Sequence, residues 1–144
     1  MTSIFDVAAY ILKKQGSMTA MKLQKLCYYS QAWSLVWDEK PLFKNKIEAW
    51  ANGPVCPRLY AEHRGKFRVS RRGLSLGDPA ALNHDQAETV DAVLEYYGKH
   101  SSQWLSDLTH REKPWKDARA DLAPGERGNA VITHAAMAEY YESL

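Results

Sequence analysis

The segment from Thr19 to Trp37 constrains the fold more than any other part of the sequence. Its apolar and aromatic residues recur at helical spacing, but they cover more than one face of the helix. A helix with a single apolar stripe packs against one layer, whereas a helix that is apolar on several faces has to be enclosed by others. The segment therefore predicts a central helix. The residues that carry the pattern are Leu23, Leu26, Cys27, Tyr28, Ala32, Trp33, Leu35, Val36 and Trp37.

Further helices are marked by their caps. Two segments open with a capping box and end at a glycine, and a third opens at a threonine near the end of the chain. Shorter helices are predicted over 101–108 and from Pro114. At 144 residues the chain is long enough for one core, so we expect a single domain over residues 1–144. The caps are Ser3 with Asp6 and Gly16, Asn83 with Gln86 and Gly98, and Thr133.

A small β element is predicted in the middle of the chain. Apolar residues alternate over Ile47–Trp50 and lead into Asn52-Gly53-Pro54, which indicates an extended piece and a tight turn. Pro57 suits the first turn of a short helix. Residues 67–69 and 74–76 flank a possible turn, which favours a hairpin. The predicted fold is mainly α with a small β element (α+β), as a compact single-domain helical bundle.

Charge is distributed unevenly along the chain, although the net charge is only +2. Residues 58–72, here called the basic segment, hold six arginine and lysine side chains against Glu62 alone, whereas 78–107 hold six carboxylates against Lys99 alone. A basic run attracts acidic protein surfaces or phosphates, and it also occurs as a solvated loop. The residues that we single out here as candidates for partner binding are Arg58, Arg68, Arg71 and Arg72.

Signals of catalysis and of cofactor binding are missing from the sequence. It has no glycine-rich phosphate loop, no paired-cysteine zinc spacing and no two-histidine helical motif, and its five histidines are dispersed. Spacing gives no sign that Cys27 or Cys56 meets a histidine. We therefore expect no enzyme, no metal and no cofactor. Without a long apolar run or a leader, and with cysteines in apolar surroundings, a cytoplasmic chain with reduced thiols that binds no membrane is predicted.

Aromatic residues stand out instead. Five tryptophans are many for a chain of this length, and we expect most of them in the core, with one or two as exposed anchors for a protein partner as the alternative. His110 lies between Thr109 and Arg111. Its imidazole either satisfies backbone groups in a loop or holds a partner's carboxylate.

Several segments of the sequence form an ordered set of motifs: MKLQKLCYYSQAW at 21–33, PLF at 41–43, EAWANGPV at 48–55, Tyr60, and LSDLTHREKPW at 105–115. In order and in spacing these motifs resemble the Panacea domain family, also called SocA-like or phage-associated proteins. The Leu-Ser, Thr-His and Pro-Trp pairs of the last segment and the paired tyrosines near residue 140 also resemble that family. The sequence departs from it at Cys27, Cys56 and Ala51, and residues 65–82 match no motif of the family.

The resemblance implies a compact helical domain that acts as the antitoxin of a toxin–antitoxin pair by direct contact with a toxin encoded by a neighbouring gene. Such a contact buries on the order of 1,600 Å² and masks the toxin without chemistry. The motif residues are then mainly scaffold. They are Tyr28, Gln31, Trp50, Gly53, Pro54, Tyr60, Thr109, Pro114 and Trp115.

Two other functions stay open from the sequence. An adaptor would deliver a toxin to a cellular protease, and a nucleic-acid-binding regulator would act through the basic segment with a steep salt dependence. The lack of a helix-turn-helix signal argues against nucleic acid as the partner. Self-association is undecided at this level.

Overall fold

Helix α2 (Ala20–Trp37) lies at the centre of the structure, as the sequence predicts. In the computed structural model, which describes residues 2–144, all ten residues from Leu23 to Ala32 are buried. Helices α1, α4, α5 and α7 and strand β3 pack around α2 and leave its middle no exposed face. The remaining helices are α1 (Ile4–Gln15), α3 (Pro57–His63), α4 (His84–Tyr97), α5 (Ser102–Arg111), α6 (Lys113–Arg119) and α7 (His134–Glu142).

The predicted helix ends are confirmed by side-chain caps. Ser3 with Asp6 closes the capping box of α1, and Asn83 with Gln86 closes that of α4. Thr133 caps α7, which ends at Glu142, and Leu144 beyond it is exposed. Helices make up 56% of the structure, so the mainly α fold class with a small β element is confirmed. Within 2–144, no helix combines the length and apolarity that a membrane crossing requires.

The β element consists of two antiparallel ribbons. Strands β2 (Glu48–Trp50) and β3 (Gly53–Val55) form a hairpin in which Trp50 lies opposite Gly53. Strands β1 (Met18–Thr19) and β4 (Arg68–Val69) pair across about 50 residues of chain. Residues 130–132 hydrogen-bond to Ile47 and Ala49. The approach to α7 is therefore fastened to the hairpin.

Two of the sequence predictions are wrong. Residues 67–69 and 74–76 do not form a hairpin, because β4 takes β1 as its partner and the Phe67 carbonyl accepts from the Ala20 N–H. The turn at 71–73 is closed locally by Ser70. Most tryptophans are not core either. Trp115 is buried, Trp33 and Trp50 are half-buried, and Trp37 and Trp104 are exposed.

Candidate functional site

Two glutamines of α2 hold extended segments of the chain. The Gln31 Oε1 accepts from the backbone N–H groups of Leu42 (2.7 Å) and Phe43 (3.3 Å), and its Nε2 donates to the Phe43 carbonyl (2.8 Å). Gln24 makes the same pair of hydrogen bonds to Cys56: its Oε1 accepts from the Cys56 N–H (2.9 Å), and its Nε2 donates to the Cys56 carbonyl (3.3 Å). Buried amides of this kind satisfy backbone groups that lie outside regular ladders. The structure thus gives motif residue Gln31 a scaffold position.

The β2–β3 hairpin is tied to α5 and α6 by the other motif residues. The Trp115 indole N–H donates to the Trp50 carbonyl (2.8 Å), and the Ser106 hydroxyl donates to the Asn52 carbonyl (3.0 Å). The Trp50 ring packs edge-on against Tyr60 with centroids 4.9 Å apart. Buried Thr109 donates to the Ser106 carbonyl, Pro54 lies in β3 opposite Ala49, and Pro114 occupies the first turn of α6.

Gly53 meets a buried lysine. Its φ is +121°, and a Cβ built there would lie 2.7 Å from the Lys25 Cε and 3.2 Å from the Thr109 Oγ1. Lys25 is 1% exposed, and its Nζ has no hydrogen-bond partner within residues 2–144. Burial lowers the pKa of Lys25 from 10.5 to about 7. No sequence motif marks Lys25 as buried, although the middle positions of an enclosed helix cannot reach water.

Two histidines share this interior. The His110 ring stacks on Trp115 at 4.1 Å, and its Nε2 is buried without a partner among the described residues. The His63 Nε2 lies 2.9 Å from the Gln24 Nε2. Since that amide nitrogen is a donor, the imidazole accepts and is neutral at Nε2. Burial lowers the pKa of both histidines, and the Lys25 amino group lowers each further.

A second buried group, again missed from the sequence, joins α2 to α7. The Glu112 Oε1 accepts from the hydroxyls of Tyr29 (2.7 Å) and Tyr141 (2.7 Å), and the Tyr141 hydroxyl lies 3.0 Å from that of motif residue Tyr28. Burial raises the pKa of Glu112, and the two hydroxyl donors oppose that rise. Burial also raises the pKa of all three tyrosines. The cluster is a structural network, because each of its polar groups has a hydrogen-bond partner within the cluster.

The candidate residues of the basic segment lie on different elements. Arg58, at the start of α3, faces a surface cleft of about 530 Å³ that it shares with Lys44 and Lys46. Arg68 is in β4, where its guanidinium donates to the Ser17 carbonyl. Arg71 and Arg72 follow in the exposed turn. All four are exposed, whereas His110 has its ring covered by Trp115.

Two further sets of side chains have chemistry that catalysis or metal binding can use. Cys27 and Cys56 are buried, and burial raises the pKa of both thiols, which disfavours a thiolate. His84, Asp85 and Glu88 hold ligand atoms within 4.8 Å of one another on the exposed first turns of α4. His84 and Glu88 form an ordinary pair one helical turn apart (2.7 Å).

Comparison with known proteins supplies the family. Residues 23–116, which hold the two glutamines, the hairpin and the Thr109–Trp115 segment, match the model of the antitoxin SocA-like Panacea domain. The chain belongs to this family. It is 28% identical over 124 residues to Antitoxin SocA of Caulobacter vibrioides strain NA1000 / CB15N, an alignment that covers 76% of the chain and 66% of that protein. The Panacea chain thus spans slightly less than two thirds of this relative, and no solved structure matches it.

Proposed function

We propose that this Panacea chain neutralises a cognate toxin, encoded by a neighbouring gene, through direct and stoichiometric protein contact. The family is an antitoxin family, and the relative from Caulobacter vibrioides is itself named an antitoxin. The toxin would be inhibited because the bound chain covers a surface that the toxin needs. No chemistry on the antitoxin is required for this.

The observation that carries the proposal is the inward orientation of the motif side chains. Gln31, Trp115 and Thr109 hold backbone segments together, and the reactive groups Lys25 and Cys27 are sealed inside the fold. The motifs therefore build a scaffold, and what the chain offers to other molecules is its exposed aromatic and charged side chains. Such a surface suits recognition.

The basic segment remains a prediction as a partner-binding element. Arg68, Arg71 and Arg72 are exposed on β4 and the turn after it, where an acidic toxin surface would be steered toward them. Triple charge reversal at these positions should then slow association and weaken its salt dependence. An unchanged association rate would remove this role.

The test is co-expression of the chain with the product of the adjacent open reading frame, with growth and co-purification scored together. We expect the neighbour alone to stop growth, the pair to grow, and the two proteins to co-purify at equal stoichiometry. Rescue without a complex, with a falling toxin level, would indicate delivery to a protease instead. A harmless neighbour would contradict the antitoxin proposal.

A further inference from the structure

We propose that the toxin docks on an aromatic patch formed by Trp33, Trp37, Tyr96, Tyr97 and Tyr140, and that the part of the toxin surface that contacts this patch is basic. This inference rests on the proposed function and names the surface and the kind of partner that it fits. The patch lies where the C-terminal halves of α2 and α4 meet α7. It is separate from the motif interior around Lys25 and from the basic segment.

Two large rings of the patch face solvent in a fixed arrangement. Trp37 is 50% exposed and Tyr96 is 61% exposed. Trp37 stacks on Trp33 at 4.9 Å, the Trp33 indole donates to the Tyr97 hydroxyl (2.9 Å), and Tyr96 meets Tyr97 edge-on at 4.7 Å. The exposed rings are thus linked through rings that are themselves packed. Large aromatic side chains held in one conformation lose little entropy on binding.

The base of the patch is rigid because it continues into the core. Tyr97 stacks on buried Tyr29 at 4.0 Å, and Tyr140 meets Tyr141 at 5.0 Å. Tyr29 and Tyr141 both donate to Glu112. An aromatic surface on such a support has the features of an interface hot spot, which concentrates in Trp and Tyr side chains.

The charge around the patch selects a basic partner. Glu88 and Glu95 lie one above the other on the exposed face of α4, with exposed Ala92 between them and Tyr96 beside them. Within residues 2–144 neither carboxylate has a lysine or arginine within ion-pair distance, and the partner that Glu88 does have is the exposed His84 imidazole (2.7 Å). Asp38 follows Trp37 directly and accepts from Thr89 of α4. A guanidinium that stacks on Trp37 or Tyr96 would therefore find carboxylates in reach.

A cleft beside the end of α2 fits the same partner. About 490 Å³ in volume, it is lined by apolar side chains, by the carboxylates of Glu39 and Glu142, and by Lys40 and His134; the apolar side chains include Leu35, Val36 and Ala138. An arginine presents an aliphatic stem and a charged end, which match an apolar lining with carboxylates. The cleft extends the docking surface beyond the patch.

The chain offers a matched control at the opposite end of α2. Phe67 is 79% exposed, and its carbonyl accepts from Ala20, the first residue of α2. Since Trp37 is the last residue of that helix, the two positions are separated by roughly 25 Å of helix. Phe67→Ala removes a comparable exposed ring from outside the patch, and it leaves the arginine charges of the basic segment, to which Phe67 belongs, unchanged.

The experiment measures binding and rescue with the toxic product of the adjacent open reading frame. Trp37→Ala and Tyr96→Ala should each raise the Kd by about 30-fold, the size of an interface hot spot, and Phe67→Ala by less than about twofold. Glu88→Lys with Glu95→Lys should slow association about tenfold at low salt. Asp107→Lys with Asp121→Lys, an equal change in net charge on exposed side chains outside both the patch and the basic segment, should change it little.

The possible results separate a failure of the patch proposal from a failure of the proposed function. If the wild-type chain binds and neutralises while the patch variants do so equally well, the patch is not the docking surface and the proposed function stands. If the wild-type chain neither binds nor neutralises, both proposals fail. A wild-type dimer that Trp37→Ala dissociates would make the patch a self-association face and overturn the toxin assignment. Circular dichroism of Tyr96→Ala, whose ring is mostly exposed, verifies that a loss of binding does not come from unfolding.

Discussion

Replacing Lys25 by methionine tests whether the fold holds this amino group in its neutral form. Lys25 has no partner for its Nζ in residues 2–144, and burial lowers its pKa to about 7. Methionine is similar in length and uncharged, so Lys25→Met keeps most of the packing against Gly53. Its effect on the free energy of unfolding should therefore report the ionisation of the amino group.

The magnitude follows from linkage between protonation and folding. The unfolded chain binds the proton up to a pKa near 10.4, whereas the folded chain releases it near pH 7. Between these values the unfolded state holds more protons, so the wild-type free energy of unfolding rises with pH. At roughly 1.4 kcal/mol per pH unit, it should fall by about 4 kcal/mol from pH 10 to pH 7. Below that range Lys25 is charged in both states and contributes no further loss.

Urea unfolding of both proteins at intervals between about pH 6 and pH 10 measures this directly. Lys25→Met should be more stable than wild type near pH 7, and the difference should shrink as the pH rises. The buried cysteines and tyrosines titrate in both proteins, so the difference between the two curves isolates Lys25. Lys13→Met, which removes an exposed lysine of α1, should give a difference that does not vary with pH. A difference for Lys25→Met that is equally constant would refute a neutral buried amino group.

Two further substitutions test the interior. Gly53→Ala should lower the free energy of unfolding by about 2 kcal/mol or more, because its φ is positive and the new Cβ would meet the Lys25 Cε. Adding Lys25→Ala should recover the part of this loss that comes from the clash with Lys25, but not the part that comes from the backbone conformation. If the losses of the two single variants simply add up in denaturant unfolding, the two residues are not in contact. Glu112→Ala should cost about 2–4 kcal/mol, since the hydroxyls of Tyr29 and Tyr141 lose their acceptor. Glu112→Gln keeps an acceptor oxygen and should cost less than half of that by thermal unfolding, so equal losses would count against the network.

Local signals predict much of the fold. The capping boxes at Ser3 and Asn83 and the cap at Thr133 each depend on residues three positions apart, and all three are confirmed. The central position of α2 follows from apolar residues on several of its faces. These features were predictable because the atoms that decide them are close in sequence or belong to one helix.

The remaining features depend on contacts between distant parts of the chain. The partner of β4 is β1, about 50 residues away, and nothing in the composition of either two-residue strand specifies the other. In the sequence, Glu112 is one charged residue in a polar segment. Its buried position depends on Tyr29 and Tyr141, which donate to it from two other helices. For the aromatic patch, the sequence indicates only that one or two tryptophans could be exposed as anchors. Which side of α2 stays uncovered depends on where α4 and α7 end, and the sequence of α2 does not contain this information.

The hydrogen bonds of Gln24 and Gln31 to the backbone, here called the two glutamine clamps, fix the position of two extended segments along α2. Gln24 and Gln31 are seven residues apart, which places them on one face with a separation of roughly 10 Å. Inserting or deleting a single residue between them would turn one clamp about 100° away from the segment that it holds. Length changes in related chains should therefore fall among the exposed residues 71–73 and 123–127, and the interval from Gln24 to Gln31 should keep a constant length.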